Sequence, residues 1–383
     1  MMYADRITKI APSQTIAITT LAQELKAQGK DILSFSAGEP DFDTPPCIEE
    51  AAKAAIDSGF SKYTAVKGIP ELLQAIAKKF QSENGLDYNA DEVMVSNGAK
   101  QCLFNAFQAL INPGDEVIIP TPYWVSYPEL VTYSGGKNVF LSTSAATEFK
   151  ITPDQLQKAL TPKTKILVLT TPSNPTGMIY TKEELRALGE VLKDTKVWVL
   201  SDEIYEKLVY EGSMFSFGAL EGQLERTITI NGLSKAVSMT GWRVGYLGTK
   251  DKTLLKHMLA LQSHSTSNIN SIAQKAALAA LQGCADKDIE NMRLAFKERR
   301  DTAYAGLNGI KGLSALKPQG AFYLWIQIPG QNSMEFCQKL LEEQGVALVP
   351  GIAFGVEGFV RMSYACSLEQ IHAGLERLKK FMA

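Results

Sequence analysis

Lys165 to Thr170 reads Lys-Ile-Leu-Val-Leu-Thr, an apolar run with no alternation of apolar and polar residues. A strand of that kind belongs to a sheet covered on both faces, because a half-exposed strand would alternate. The run leads into Ser173-Asn174-Pro175-Thr176-Gly177, where Asn before Pro favours an extended or turn conformation and an X-Pro bond can be cis. The same arrangement recurs. Lys196 to Ser201 reads as a strand ending in Asp202-Glu203-Ile204-Tyr205, and Thr227 to Ile230 as one ending in Asn231-Gly232-Leu233-Ser234-Lys235. Val93 to Val95 runs into Ser96-Asn97-Gly98-Ala99-Lys100 and a helical run to Ile111, and Glu116 to Ile119 into Pro120-Thr121-Pro122-Tyr123-Trp124. Strands alternating with helical patterns predict an α/β fold with a mostly parallel mixed sheet and crossover helices. In such a sheet, polar groups at the carboxyl ends of several strands lie where ligands bind.

Lys235 follows a strand end in a segment of small residues, with Ser234 beside it and Arg243 eight positions on. An amine there suits Schiff-base formation, while a hydroxyl and a guanidinium hold a phosphate. A solvated loop lysine and a Ser-Lys hydrolase pair are the rival readings. Gly98 at a strand-to-helix junction exposes amides at the positive end of a helix dipole, which suits an anion. Asp202 alone could be a helix cap, Trp124 core filling, Tyr63 a surface ring and Arg361 a solvent-facing charge on a half-buried strand.

Taken together, Ser234-Lys235 to Arg243, Ser173 to Gly177 and Ser201 to Tyr205 resemble the class I aminotransferases of pyridoxal-phosphate (PLP) fold type I. The likeness is greatest to the shorter bacterial aspartate aminotransferases, and it covers nearly the whole chain from Pro12. It implies pyridoxal 5′-phosphate as cofactor, tied to Lys235. The phosphate would be held by Gly98, Ala99, Lys100, Ser234 and Arg243, and by Tyr63 reaching across a homodimer with shared sites. Trp124 would lie on the ring, Asn174 and Tyr205 would meet its phenolic oxygen, and Asp202 would keep its nitrogen protonated. Arg361 would clamp the substrate α-carboxylate with help from Gly38, Trp124 and Asn174, and Phe322, Tyr323 and Phe354 would line the cleft. Lys100 and Thr15 match contacts to a distal carboxylate.

The implied activity is ping-pong amino transfer from L-aspartate to 2-oxoglutarate, with Lys235, Asp202 and Tyr205 as the catalytic set. Prephenate or aromatic amino acids are the alternative substrates. A PLP-dependent C–S β-lyase and a non-catalytic PLP-binding regulator are the rivals from other classes. With 383 residues, 45% of them hydrophobic, the chain can bury two cores. The expected division is an N-terminal segment, 1–45, joining the small domain, a large PLP-binding domain, 46–290, and a small C-terminal α+β domain, 291–383.

Charge narrows the partners. With 39 basic against 41 acidic residues, the net charge of −2 gives no case for nucleic acid or an anionic membrane. No apolar run approaches a membrane span and no signal-like segment opens the chain, so a cytoplasmic location is expected. Five cysteines, Cys47, Cys102, Cys284, Cys337 and Cys366, form no close pair, and free thiols in a reducing compartment are expected. Three histidines, none at a ligand spacing from a cysteine, give no metal site.

Overall fold

A computed structural model describes residues 3–12 and 14–383, without the side chains of residues 14–17. Its strands are, in chain order, β1 (Leu33–Ser34), β2 (Val93–Asn97), β3 (Glu116–Thr121), β4 (Lys137–Ser142), β5 (Thr164–Thr170), β6 (Trp198–Asp202), β7 (Thr227–Gly232) and β8 (Val244–Gly248), followed by β9 (Ser314–Ala315), β10 (Tyr323–Gln327), β11 (Val346–Ala347), β12 (Val349–Pro350) and β13 (Phe359–Ser363). β2 to β8 form one seven-stranded sheet in the order β2-β8-β7-β6-β5-β3-β4. β4, β3, β5, β6 and β7 pair in parallel, whereas β8 runs antiparallel to both β7 and β2.

Burial explains why β5 shows no alternation. Ile166 and Val168 pack into one apolar cluster with Leu103 and Phe107 of the helix Ala99–Leu110 and Met258 of the helix Lys252–Ser265. Leu167 and Leu169 pack into another, with Leu185 and Leu188 of the helix Lys182–Leu192 and Phe217. Both faces are covered, so every strand position can be apolar. This is the α/β architecture with a mostly parallel mixed sheet that the sequence predicts.

The chain beyond the long helix Asp286–Asn308 makes a second unit, a four-stranded sheet β12-β13-β10-β9 packed with the helices Ser333–Gln344 and Leu368–Phe381. The N-terminal segment reaches it through β1, which pairs in parallel with β11, Leu33 opposite Val346. Val346 to Pro350 is split at Leu348 because its halves serve different partners. β11 pairs with β1, and β12 with β13. β1 has two ladder residues, matching the two that β11 offers.

One expectation is overturned. Cys47 and Cys284, 237 positions apart, form a disulfide with Cα atoms 6.2 Å apart, a normal bridging separation. Sequence spacing could not show it, because the fold brings together the first turn of the helix Pro46–Asp57 and the turn before Asp286. Cys102, Cys337 and Cys366 are free and buried. Denatured protein prepared without reductant should therefore titrate as three thiols, and as five after reduction. Five thiols without reductant would contradict the pairing.

Candidate active site

β2, β5, β6 and β7 all end at one edge of the central sheet, and β8, being antiparallel, begins there. That reversal brings Arg243, the residue before β8, to the rim that carries Gly98, Asp202 and Lys235. Register sets their neighbours: Asn97 lies opposite Val244, Gly232 opposite Gly245, and Thr170 opposite Asp202. A cavity of about 510 Å³ opens over this rim.

At one end, Gly98 starts the helix Ala99–Leu110 with φ 84°, and no side chain caps the helix, so its first amides are left for a ligand. A Cβ on Gly98 would collide with the Arg243 guanidinium, and one on Gly245 with the amide of Ala99. Only glycine at both positions lets the arginine and the helix end meet. Arg243 itself is held at φ 57°, an unusual conformation for a side chain of that size, with Nη1 donating to the Thr240 carbonyl at 2.9 Å. Ser234 is buried beside Lys235 in the single turn Leu233–Ala236.

The Lys235 amine donates to the Gly38 carbonyl and lies 5.9 Å above the Phe322 ring. Burial lowers its pKa from 10.5 to about 8, with Arg361, Arg243 and Lys100 adding repulsion and Glu39 opposing it. Among the described residues no hydrogen bond joins Ser234 to Lys235, so the hydrolase pair is not assembled. Asp202, 4% exposed, accepts from the Tyr127 hydroxyl at 2.7 Å and from the Ile204 amide at 3.3 Å. Burial raises its pKa and those two donors oppose the rise.

Arg361, 3% exposed, donates to Asn174 Oδ1 and to the Ser36 carbonyl, both at 2.9 Å. Its guanidinium lies 4.3 Å from the centre of the Tyr323 ring and 4.9 Å from that of Phe354. Among the described residues no carboxylate is within ion-pair distance of it, and its Nε has no partner. A buried cation without a counter-ion is costly unless an anionic ligand completes it. Asn174 sits at a cis bond to Pro175. The Tyr205 and Tyr323 hydroxyls are 2.9 Å apart.

Trp124 lines the cavity, and Lys100 Nζ lies 5.0 Å above its ring. Burial and Arg243 lower the Lys100 pKa. The side chain of Thr15 is outside the described residues. Tyr63 is 90% exposed and does not line this chain's cavity. The loop carrying Gly38 is fastened to the Lys235 segment by Thr240 to Glu39 at 2.8 Å and Thr44 to the Ser238 carbonyl at 3.0 Å. Arg299 to Asp41 at 2.6 Å and the Phe42 and Phe296 rings 5.4 Å apart fasten it to the helix Asp286–Asn308.

Sequence reasoning missed Tyr127, Ser36, Glu39 and the role of Tyr323. Tyr127 follows Trp124 by three positions, one helical turn, which was the available signal. Ser36 acts through its carbonyl, which no side-chain pattern reveals.

The model of the family "Aminotransferase class I and II" matches residues 30–378. The chain belongs to that family. It is 50% identical to an aspartate aminotransferase of Geobacillus stearothermophilus, over 100% of this chain and 99% of the relative. It is 48% identical to an aspartate/prephenate aminotransferase of Cereibacter sphaeroides, over 99% and 98%. The solved aspartate aminotransferase of Thermus thermophilus with maleate superposes with a TM-score of 0.96 at 44% identity, covering 99% of each chain.

Pyridoxal 5′-phosphate is the cofactor of these aminotransferases, and the residues present fit it. The glycine-walled hollow at Arg243 suits a phosphate, the buried Asp202 suits a protonated ring nitrogen, and Lys235 is an amine of lowered pKa between them. In cofactor-free aminotransferase, an acylating reagent followed by peptide mass spectrometry should label Lys235 half-maximally near pH 8. The amine is protonated and unreactive below that pH, and the surface lysines should follow only above about pH 10. A labelling midpoint for Lys235 shared with the surface lysines would contradict the lowered pKa.

Proposed function

We propose that the protein transfers the amino group of L-aspartate to 2-oxoglutarate by a ping-pong mechanism. The observation that carries this reading is the charge of the cavity. Lys100, Lys235, Arg243 and Arg361 face it against only Glu39 and Asp202, four cations to two carboxylates. A cofactor phosphate and a dicarboxylate would supply the missing negative charge. Arg361 suits the α-carboxylate as a planar fork, and Lys100 at the Trp124 end suits the distal one.

When bound, the cofactor supplies an electron sink for the substrate's α-carbon electrons. The chain's own groups do the rest. Ser234, Arg243 and the amides of Ala99 and Lys100 would hold the phosphate, and Tyr63 of a second copy would complete that end in a homodimer. Asp202, which accepts from Tyr127, would keep a proton on the ring nitrogen, while Asn174 and Tyr205 would donate to the phenolic oxygen and Trp124 would cover the ring. The Lys235 amine, neutral above about pH 8, would take the proton from the substrate α-carbon and return it at the cofactor's C4′, two bonds away. Gly38 covers the reacting centre.

The domain reading that goes with this sets an N-terminal segment, 1–45, against a large domain, 46–290, and a small one, 291–383. The helix Asp286–Asn308 runs across the second boundary. Among the described residues no helix is long and apolar enough to cross a membrane. We place the enzyme in the cytoplasm, where its amino acids and 2-oxo acids are held. Prephenate is the second acceptor to consider, because a cation beside an aromatic face, Lys100 on Trp124, suits a ring-borne carboxylate and a relative's name includes that substrate.

Purified enzyme given aspartate and 2-oxoglutarate should yield glutamate and oxaloacetate, whereas pyruvate and ammonia would indicate a lyase. Lys235→Ala should cut turnover by about 10³-fold or more while far-UV circular dichroism is unchanged. Lys100→Ala should lower kcat/KM for aspartate by about 10- to 100-fold, the worth of a charge-assisted bond, and leave alanine nearly unaffected. Equal losses for both substrates would remove Lys100 from the distal site.

A further inference from the structure

Among the described residues the Tyr205 hydroxyl has one partner, the hydroxyl of Tyr323, at 2.9 Å. The two come from opposite sides of the cleft: Tyr205 from the turn after β6, and Tyr323 from the first position of β10, opposite Ser363. Both are buried, with rings edge to face, their centroids 5.9 Å apart. Either oxygen can donate at this distance, and the chemistry of the site decides which does. A phenol has one proton to give. If Tyr205 gives its proton to the cofactor's phenolic oxygen, it can only accept from Tyr323.

We propose that Tyr323 is a positioning residue that donates to Tyr205 and so strengthens the bond from Tyr205 to the cofactor. The inference rests on the aminotransferase reading and deepens it. Hydrogen bonds in series polarise one another, the more so in a dry site. A better donor at the phenolic oxygen stabilises negative charge there and lowers the proton affinity of the neighbouring nitrogen contributed by Lys235. Charges facing the pair are Arg361 from β13, Asp202 at the end of β6 and Lys235 after β7. Burial raises the pKa of both phenols and Arg361 opposes the rise in both, but its guanidinium lies directly over the Tyr323 ring, 4.3 Å from its centre, which makes that hydroxyl the better donor of the two.

Tyr323 thus has two separable parts. The ring supports Arg361, and the hydroxyl serves Tyr205. Tyr323→Phe removes only the second.

The test compares wild type, Tyr323→Phe, Tyr205→Phe and the double variant, each loaded with pyridoxal 5′-phosphate. Borohydride should fix the cofactor on Lys235 in wild type, and failure there would end the aminotransferase reading itself. With that established, the pH midpoint of the bound cofactor's absorbance change should rise in Tyr323→Phe by about half a pH unit. It should rise further in Tyr205→Phe, and the double variant should match Tyr205→Phe alone. Binding of succinate, read by calorimetry, should stay within about twofold in Tyr323→Phe, because the ring under Arg361 remains. An unchanged midpoint, additive shifts in the double variant, or a shift accompanied by loss of succinate binding would overturn the proposal.

Discussion

Convergent positive charge, buried at Arg361, is the constraint on which the site depends. Four cationic side chains converge on one cavity, and burial lowers the pKa of Lys100, Lys235 and Arg361. A protein pays for such an arrangement only if anions complete it. Burial, with help from the repulsion among these cations, lowers the Lys235 pKa to about 8. One electrostatic deficit therefore serves both recognition and chemistry.

The fold meets that constraint through a single reversal. Six strands of the sheet could deliver their polar turns to one rim simply by running in parallel, but a residue that precedes a strand would then lie at the far edge. β8 runs the other way, so Arg243 arrives at the phosphate end while Lys235, only eight residues earlier, arrives from the end of β7. Gly98 and Gly245 then let the helix end and the guanidinium approach closely.

Much of this was legible in the sequence where the signal was local. The unbroken apolar run of β5 announced a doubly covered sheet, and Asn174, Asp202, Lys235 and Arg361 stood in motifs whose order carried a resemblance. Helices at Pro153–Ala159 and Lys182–Leu192 carry capping boxes of equally local character, Thr152 with Gln155 and Thr181 with Glu184. What could not be read was non-local. The Cys47–Cys284 bridge, the Ser36 carbonyl on Arg361, and the meeting of Tyr205 with Tyr323 all depend on chain crossings that no spacing encodes.

The loop from Gly38 to Thr44 is fastened at once to the segment bearing Lys235 and, through Asp41 and Phe42, to the helix Asp286–Asn308. It therefore bridges the amine's surroundings to the helix that leads into the four-stranded sheet. The Gly38 carbonyl, which accepts from Lys235, is thereby positioned by anchors on both of its neighbours rather than by its own strand.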